Sequence, residues 1–230
     1  MIRMDLHLHS NFSDGKNSPE EMVVAAISKG LDAVAITDHV RRSTDWLDEY
    51  VEDINVLREK YRNKIKVLSG IEAKILDLVG NVDAEVEFFH KVDIVLAAFH
   101  GIPTNRGFLD EGEILENKNE ALMKWNEALM AVLSHPYVTI IAHPTKILRD
   151  FGIELPKEMK VAIAGKAKEY GKIFEINIRY SVPDEEFLAI LADNGVRMVI
   201  GSDSHSVEEL QETNVRDNYD ACLSNCSPCG

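Results

Sequence analysis

Cysteine is scarce in this chain and confined to one end. The three present, Cys222, Cys226 and Cys229, all fall in the last nine residues. That excludes a disulfide framework for the core. Cys222-x3-Cys226-x2-Cys229 has no histidine beside it and reads as an unstructured end rather than a metal clip. No run of about 18 apolar residues occurs, and no signal-peptide hydrophobic segment opens the chain. The chain therefore reads as cytoplasmic, with no membrane partner. Positive charge is short too: 25 lysines and arginines against 39 acids leave a formal charge of -14. A cationic face for long nucleic acid or anionic lipid is not expected. Fixed-period repeats and low-complexity stretches are also missing.

What is present is an alternation of two patterns. Short apolar runs end at polar residues, and amphipathic segments follow them. Ser18-Pro19-Glu20-Glu21 is a helix start, with Ser as cap, Pro in the first turn and acids behind it, and Lys29-Gly30 is a helix end. Strands are expected at 4–9, 31–37, 65–71, 93–99, 138–142, 173–176 and 196–200. Helices are expected at 18–29, 44–62, 84–90, 118–134 and 156–170, then from Pro183 to Asn194 and after the last strand. Residues 75–82 read as a hairpin-like extension. Residues 101–117 and 145–155 read as long loops that shape a pocket. Continuous apolar strands between amphipathic helices imply a parallel sheet covered on its outer face. Seven such units in 230 residues suggest an α/β fold of one domain, a distorted (β/α)7 TIM-like barrel. A doubly wound open sheet is the alternative.

The first strand, Met4-Asp5-Leu6-His7-Leu8-His9, carries two histidines two residues apart. Strand side chains alternate, so His7 and His9 share one face with Asp5, and Leu6 and Leu8 take the other. Later strands end in the same manner: His39, Glu72, His100, His143, Asn177, then Asp203 and His205. Barrel enzymes build their sites at the C-terminal ends of strands, so these side chains should meet at one mouth. In a closed barrel the last strand lies beside the first, which brings Asp203 and His205 to His7 and His9. Asp14 sits in the loop above. Six of the eight histidines occupy such positions, while His90 and His135 fall at the wrong end. Imidazoles mixed with carboxylates point to a metal site suited to zinc, manganese or iron.

The ordered motifs His7-Leu8-His9, Asp14-Gly15, Thr37-Asp38-His39, Gly70-Ile71-Glu72, His100, Ala142-His143-Pro144 and Gly201-Ser202-Asp203-Ser204-His205 resemble those of the PHP (polymerase and histidinol phosphatase) superfamily. The resemblance covers residues 1–207, leaving 208–230 as a helix and a polar cysteine-containing tail. It implies a distorted seven-unit barrel that holds two to three divalent metal ions. It further implies that His7, His9, Glu72 and Asp203 hold a first ion. Glu72 would bridge to a second with His100 and His143, and Asp14, His39 and His205 would hold a third.

The expected activity is metal-dependent hydrolysis of a small-molecule phosphate monoester, with histidinol phosphate as the named example. A metal lowers the pKa of water to about 7, and the resulting hydroxide attacks phosphorus in line. Asp203 or His205 is a candidate proton carrier. Arg179, two residues past Asn177, is the leading candidate for bidentate phosphate contact, and Arg106 in the 101–117 loop is a second. Arg41, Arg42 and Lys146 read as solvated, and Asp5 as a partner orienting a ligand imidazole. A nuclease or phosphodiesterase acting on short oligonucleotides or nucleotide phosphates is the alternative. An amidohydrolase also opens with His-x-His, but would use a fourth-strand lysine that is lacking here. A non-catalytic scaffold would tend to have lost ligands, and none of the nine is lost.

Overall fold

The computed structural model describes residues 3–212. Cys222, Cys226 and Cys229 lie outside the described residues. In chain order the elements are β1 (Met4–Leu8), α1 (Pro19–Ser28), β2 (Ala33–Val40), α2 (Leu47–Tyr61), β3 (Lys66–Lys74), α3 (Val86–Phe89), β4 (Ile94–Ala98), β5 (Pro103–Thr104) and β6 (Gly107–Phe108). They continue with α4 (Glu111–Glu116), α5 (Lys118–Val132), β7 (Ile140–Ile141), α6 (Lys146–Asp150), α7 (Lys157–Glu169), β8 (Ile173–Asn177), α8 (Glu185–Asp193), β9 (Arg197–Gly201) and α9 (Val207–Glu212).

Seven strands form one parallel sheet in the order β1-β2-β3-β4-β7-β8-β9. Its two edges meet. The Asp203 amide donates to the His7 carbonyl and the His9 amide donates to the Ser204 carbonyl, each at 2.9 Å. The sheet is thus a nearly closed, distorted barrel rather than an open doubly wound layer. Outward residues such as Val34, Ile36, Val67, Ile71, Val95 and Phe174 pack against Met22, Ile54, Trp125, Leu129, Ile163 and Phe187 from the helices. A smaller cluster, Leu96, Ala98, Ile140 and Ala142 with Leu6, Ile94, Ile173 and Val199, lies apart from that core. By strand alternation Ile173 and Val199 share a face with Glu175 and Gly201, so this cluster is the barrel's inner floor. Among the described residues, no helix is long and apolar enough to cross a membrane.

Several elements depart from the sequence expectation, each for a local reason. Pairing of β1 with β2 is irregular between Asp5 and Leu8. A bulge reverses the alternation. Leu8 therefore joins the outer core, while Leu6 packs into the inner floor instead of sharing its face. Asp5 does not hold an imidazole: its Oδ1 accepts the His7 and Ser202 amides at 3.2 and 3.0 Å. The 101–117 segment is not a plain loop. It holds the β5–β6 hairpin and α4, whose start is a capping box between Asp110 and Glu113. The 145–155 segment likewise contains α6. Helix α2 begins three residues later than expected, at Leu47, because the Thr44 hydroxyl accepts the Arg41 amide at 2.9 Å in a turn before it. The 75–82 extension is present as an antiparallel bridge between Ile75 and Val82.

Tyr50 pins β2 to β3. Its fully buried hydroxyl donates to the Ile36 carbonyl at 2.5 Å and accepts the Gly70 amide at 3.0 Å. Tyr50→Phe removes both hydrogen bonds, so it is expected to cost about 1–3 kcal/mol of stability. Urea unfolding of the metal-depleted protein measures this.

Candidate metal centre

The strand ends deliver their polar side chains to one point above the inner floor. Glu72, at the C-terminal part of β3, is the centre of the group, and its side chain is 0% exposed. Its Oε1 lies 3.0 Å from His143 Nε2 and 3.3 Å from His100 Nε2. Its Oε2 lies 3.6 Å from both His7 Nε2 and His9 Nε2. Oε2 is also 2.7 Å from His39 Nδ1, without the alignment of a hydrogen bond. Asp203 Oδ1 approaches His9 Nε2 at 3.1 Å and His7 Nε2 at 3.6 Å. Asp14 completes the outer edge, 3.7 Å from His39 Nε2 and 3.4 Å from His205 Nε2. All nine expected residues therefore meet. His90 and His135 pack edge-on against Tyr137 instead.

The donor set fits divalent cations. Ligand atoms gather in three groups: His7, His9 and Glu72; His39, Glu72 and His100; and His9, Asp14, His39 and His205. Three buried atoms, Glu72 Oε2, His9 Nδ1 and His143 Nδ1, have no hydrogen-bond partner. A buried carboxylate oxygen left unpartnered among imidazole nitrogens is costly unless a cation meets it. The titration of the groups points the same way. Burial alone would raise the Glu72 pKa, but His7, His100, His143 and His39 hold it well below the ordinary carboxylate range. Burial alone would lower the His7 pKa, but Glu175, Asp203 and Glu72 raise it well above the usual imidazole value. His9 goes the other way, lowered chiefly by burial.

Two residues the sequence reading passed over set this geometry. Glu175, inside the apolar strand β8, is 1% exposed. Its Oε1 accepts from His7 Nδ1 at 2.7 Å, which turns the Nε2 lone pair toward the centre. Its Oε2 accepts the His143 amide and, at 3.3 Å, the Asn177 side-chain amide. Gly201 makes the room: a Cβ there would sit 1.8 Å from Glu175 Oε1. The only signals in the sequence are an acid in an apolar strand and its i, i+2 relation to Asn177. The candidate cations also sit differently from expectation. Arg106 is exposed at the hairpin turn between β5 and β6. Arg179 donates to the Asp203 carbonyl at 3.0 Å and to Glu209 at 3.1 Å. Neither lines the mouth. Lys146, read as solvated, does line it.

The backbone is strained where ligands turn inward. His143 and Asp203 have φ of 27° and 55°, in the left-handed region. Glu175 holds the first through its amide. The second is held by its own amide bond to His7, by Arg179, and by the His205 Nδ1 contact to its carbonyl at 2.9 Å.

The mouth opens into two clefts that share His39, Glu72 and His100. The larger, about 750 Å³, runs past His143, Lys146 and Tyr180. The smaller, about 570 Å³, runs past Asp14, Arg41, Trp46 and Lys74.

A nearly closed parallel barrel with a buried imidazole–carboxylate cluster at its C-terminal mouth has the form of a metal-dependent hydrolase. The PHP domain family matches residues 5–221, and this chain belongs to it. It is 32% identical over 212 residues to a probable phosphatase of Acetivibrio thermocellus, covering 88% of this chain and 79% of that protein. It is 30% identical over 222 residues to the DNA polymerase/3'-5' exonuclease PolX of Bacillus subtilis, covering 92% of this chain but only 35% of the polymerase. Its fold resembles histidinol phosphate phosphatase from Lactococcus lactis, solved with zinc, L-histidinol and phosphate: TM-score 0.68, 20% identity, 98% of this chain and 94% of the other. The chain is a metal-dependent phosphoester hydrolase.

Glu175→Ala is expected to release the His7 ring and weaken divalent-metal binding roughly 10–100-fold. Titration of the metal-depleted protein with zinc, followed by calorimetry, measures this.

Proposed function

We propose that this chain hydrolyses the phosphate monoester of a small molecule, of the kind represented by histidinol phosphate. The observation that carries the reading is the split of Glu72, one oxygen facing His100 and His143 and the other facing His7, His9 and His39. A carboxylate so placed can bridge two cations. The residue roles are those the family resemblance implies, and the clustering of the side chains is compatible with them. His7, His9, Glu72 and Asp203 hold the first ion; Glu72, His100 and His143 hold the second; Asp14, His39 and His205 hold the third. Zinc, manganese and iron all suit these donors. Bound there, such ions draw charge from the phosphoryl oxygens and lower the pKa of water to about 7.

The chain's own groups do the rest. The mouth places the phosphoryl at the shared His39, Glu72 and His100 rim, and the larger cleft receives the leaving group beside Lys146 and Tyr180. Water oxygen bonds to phosphorus as the bond to the ester oxygen breaks, and the proton released from water ends on the leaving alcohol. Asp203 and His205 act by holding ions rather than by carrying that proton. The side chain of Asp203 is turned to His7 and His9, and His205 Nδ1 is tied to a carbonyl. Arg179 is a positioning residue that fixes the Asp203 turn. The relative in Acetivibrio supports a phosphatase. The PolX relative favours a second reading, cleavage of a phosphodiester.

The test is elemental analysis of protein purified without chelator, with turnover of histidinol phosphate, an aryl monophosphate and a dinucleotide. Two to three metals per chain and monoester turnover are expected. His9→Ala and Asp203→Ala should lower turnover by more than the roughly 10–100-fold typical of residues that only support a ligand. Preference for the dinucleotide would establish the second reading. Full metal content with no phosphoester cleavage would overturn both.

A further inference from the structure

Both clefts at the mouth carry acids, but they differ in how their cations are paired. In the larger one Lys146 is paired with Asp150, and Glu111 adds negative charge. In the smaller one Arg41 and Lys74 face a space that Asp14, Glu72 and Asp83 also line. Among the described residues, neither has a carboxylate within ion-pair distance. Lys74 Nζ instead sits over the Phe108 ring, 3.4 Å from its centroid. Burial lowers its pKa, with Asp83 opposing and Arg41 adding a smaller push downward. Asp83 itself accepts the Arg42 amide at 3.1 Å. The far wall is aromatic: Phe12 and Trp46 pack with ring centroids 5.5 Å apart. Two neighbouring cations without carboxylate partners, on the rim of a cleft that opens at the reacting centre, call for an anion.

We propose that the smaller cleft is an anion subsite. It takes a second negatively charged group, a carboxylate or a phosphate, of a substrate whose reacting phosphoryl lies at the His39, Glu72 and His100 rim. The aromatic wall favours a planar scaffold between the two groups. The substrate class is then the bis-anionic phosphate ester. This rests on the phosphoester reading above and narrows it. It assigns the anion-binding cations to Arg41 and Lys74, and to the second anionic group rather than the reacting phosphoryl.

The test compares phenyl phosphate with 4-carboxyphenyl phosphate and with 1,4-phenylene bisphosphate on the metal-loaded enzyme. The bis-anionic esters are expected to show a KM about tenfold lower, with kcat little changed, as one added charge-assisted contact gives. In the Arg41→Gln, Lys74→Gln double variant that ratio should fall to near one. In Arg41→Lys, Lys74→Arg it should persist. Equal KM values in the unmodified enzyme, or an unchanged ratio in the double variant, would overturn the proposal. Calorimetric binding of 4-phosphonobenzoate against phenylphosphonate keeps the test independent of turnover. Tighter binding of the former, lost in the double variant, supports the subsite even if no monoester is cleaved. Equal binding sinks it even if phenyl phosphate is cleaved well.

Discussion

The Glu72 carboxylate, wholly buried and ringed by imidazoles, is the interaction on which the rest of the structure depends. An anion in that position is unfavourable by burial alone and tolerable only because positive charge surrounds it. Four strands and the loops after them must therefore deliver their histidines to the same small volume. The barrel achieves this by closure. Asp203, just after the last strand, hydrogen-bonds to His7 on the first, and residues from both ends of the barrel close over Glu72. An open sheet would leave its first and last strands far apart and half of the donors absent.

Precision in such a site comes from groups one step removed. Glu175 grips the His7 ring with one oxygen and the His143 backbone with the other, so a single side chain sets residues on two sides of Glu72. The cost is a pair of left-handed backbone turns at His143 and Asp203, which only a web of hydrogen bonds sustains. Gly201 exists in this web as empty space: any side chain there would strike Glu175. Rigidity at the donors contrasts with the two clefts, where side chains from the segments following β2, β4 and β7 leave cations differently paired on either side of one centre.

Much of this was legible in the sequence. Short apolar runs followed by His, Glu or Asp recur through the chain, and the barrel rule places such ends at one mouth. Local chemistry was readable too, even where it was passed over: Asp110-x-x-Glu113 is a capping box, and it marks helix α4 inside what reads as a loop. The face of Leu6 was not legible, because a one-residue bulge in β1 leaves no mark in an apolar run. The partner of Arg179 was not legible either. Its position after β8 suggests the mouth, yet Glu209 and the Asp203 carbonyl take its donors.

By itself the sequence determined the identity and order of the nine residues that cluster at the mouth, the alternation of strands and helices, and the closing pair Asp203 and His205. Those are consequences of residue type and spacing along the chain. Only the tertiary structure decided that Glu175 rather than Asp5 holds the His7 ring, and that Lys146, Arg41 and Lys74 rather than Arg179 and Arg106 line the mouth. Both depend on which residues meet across the barrel, and a contact between positions 7 and 175 is set by strand closure and register, which no local pattern encodes.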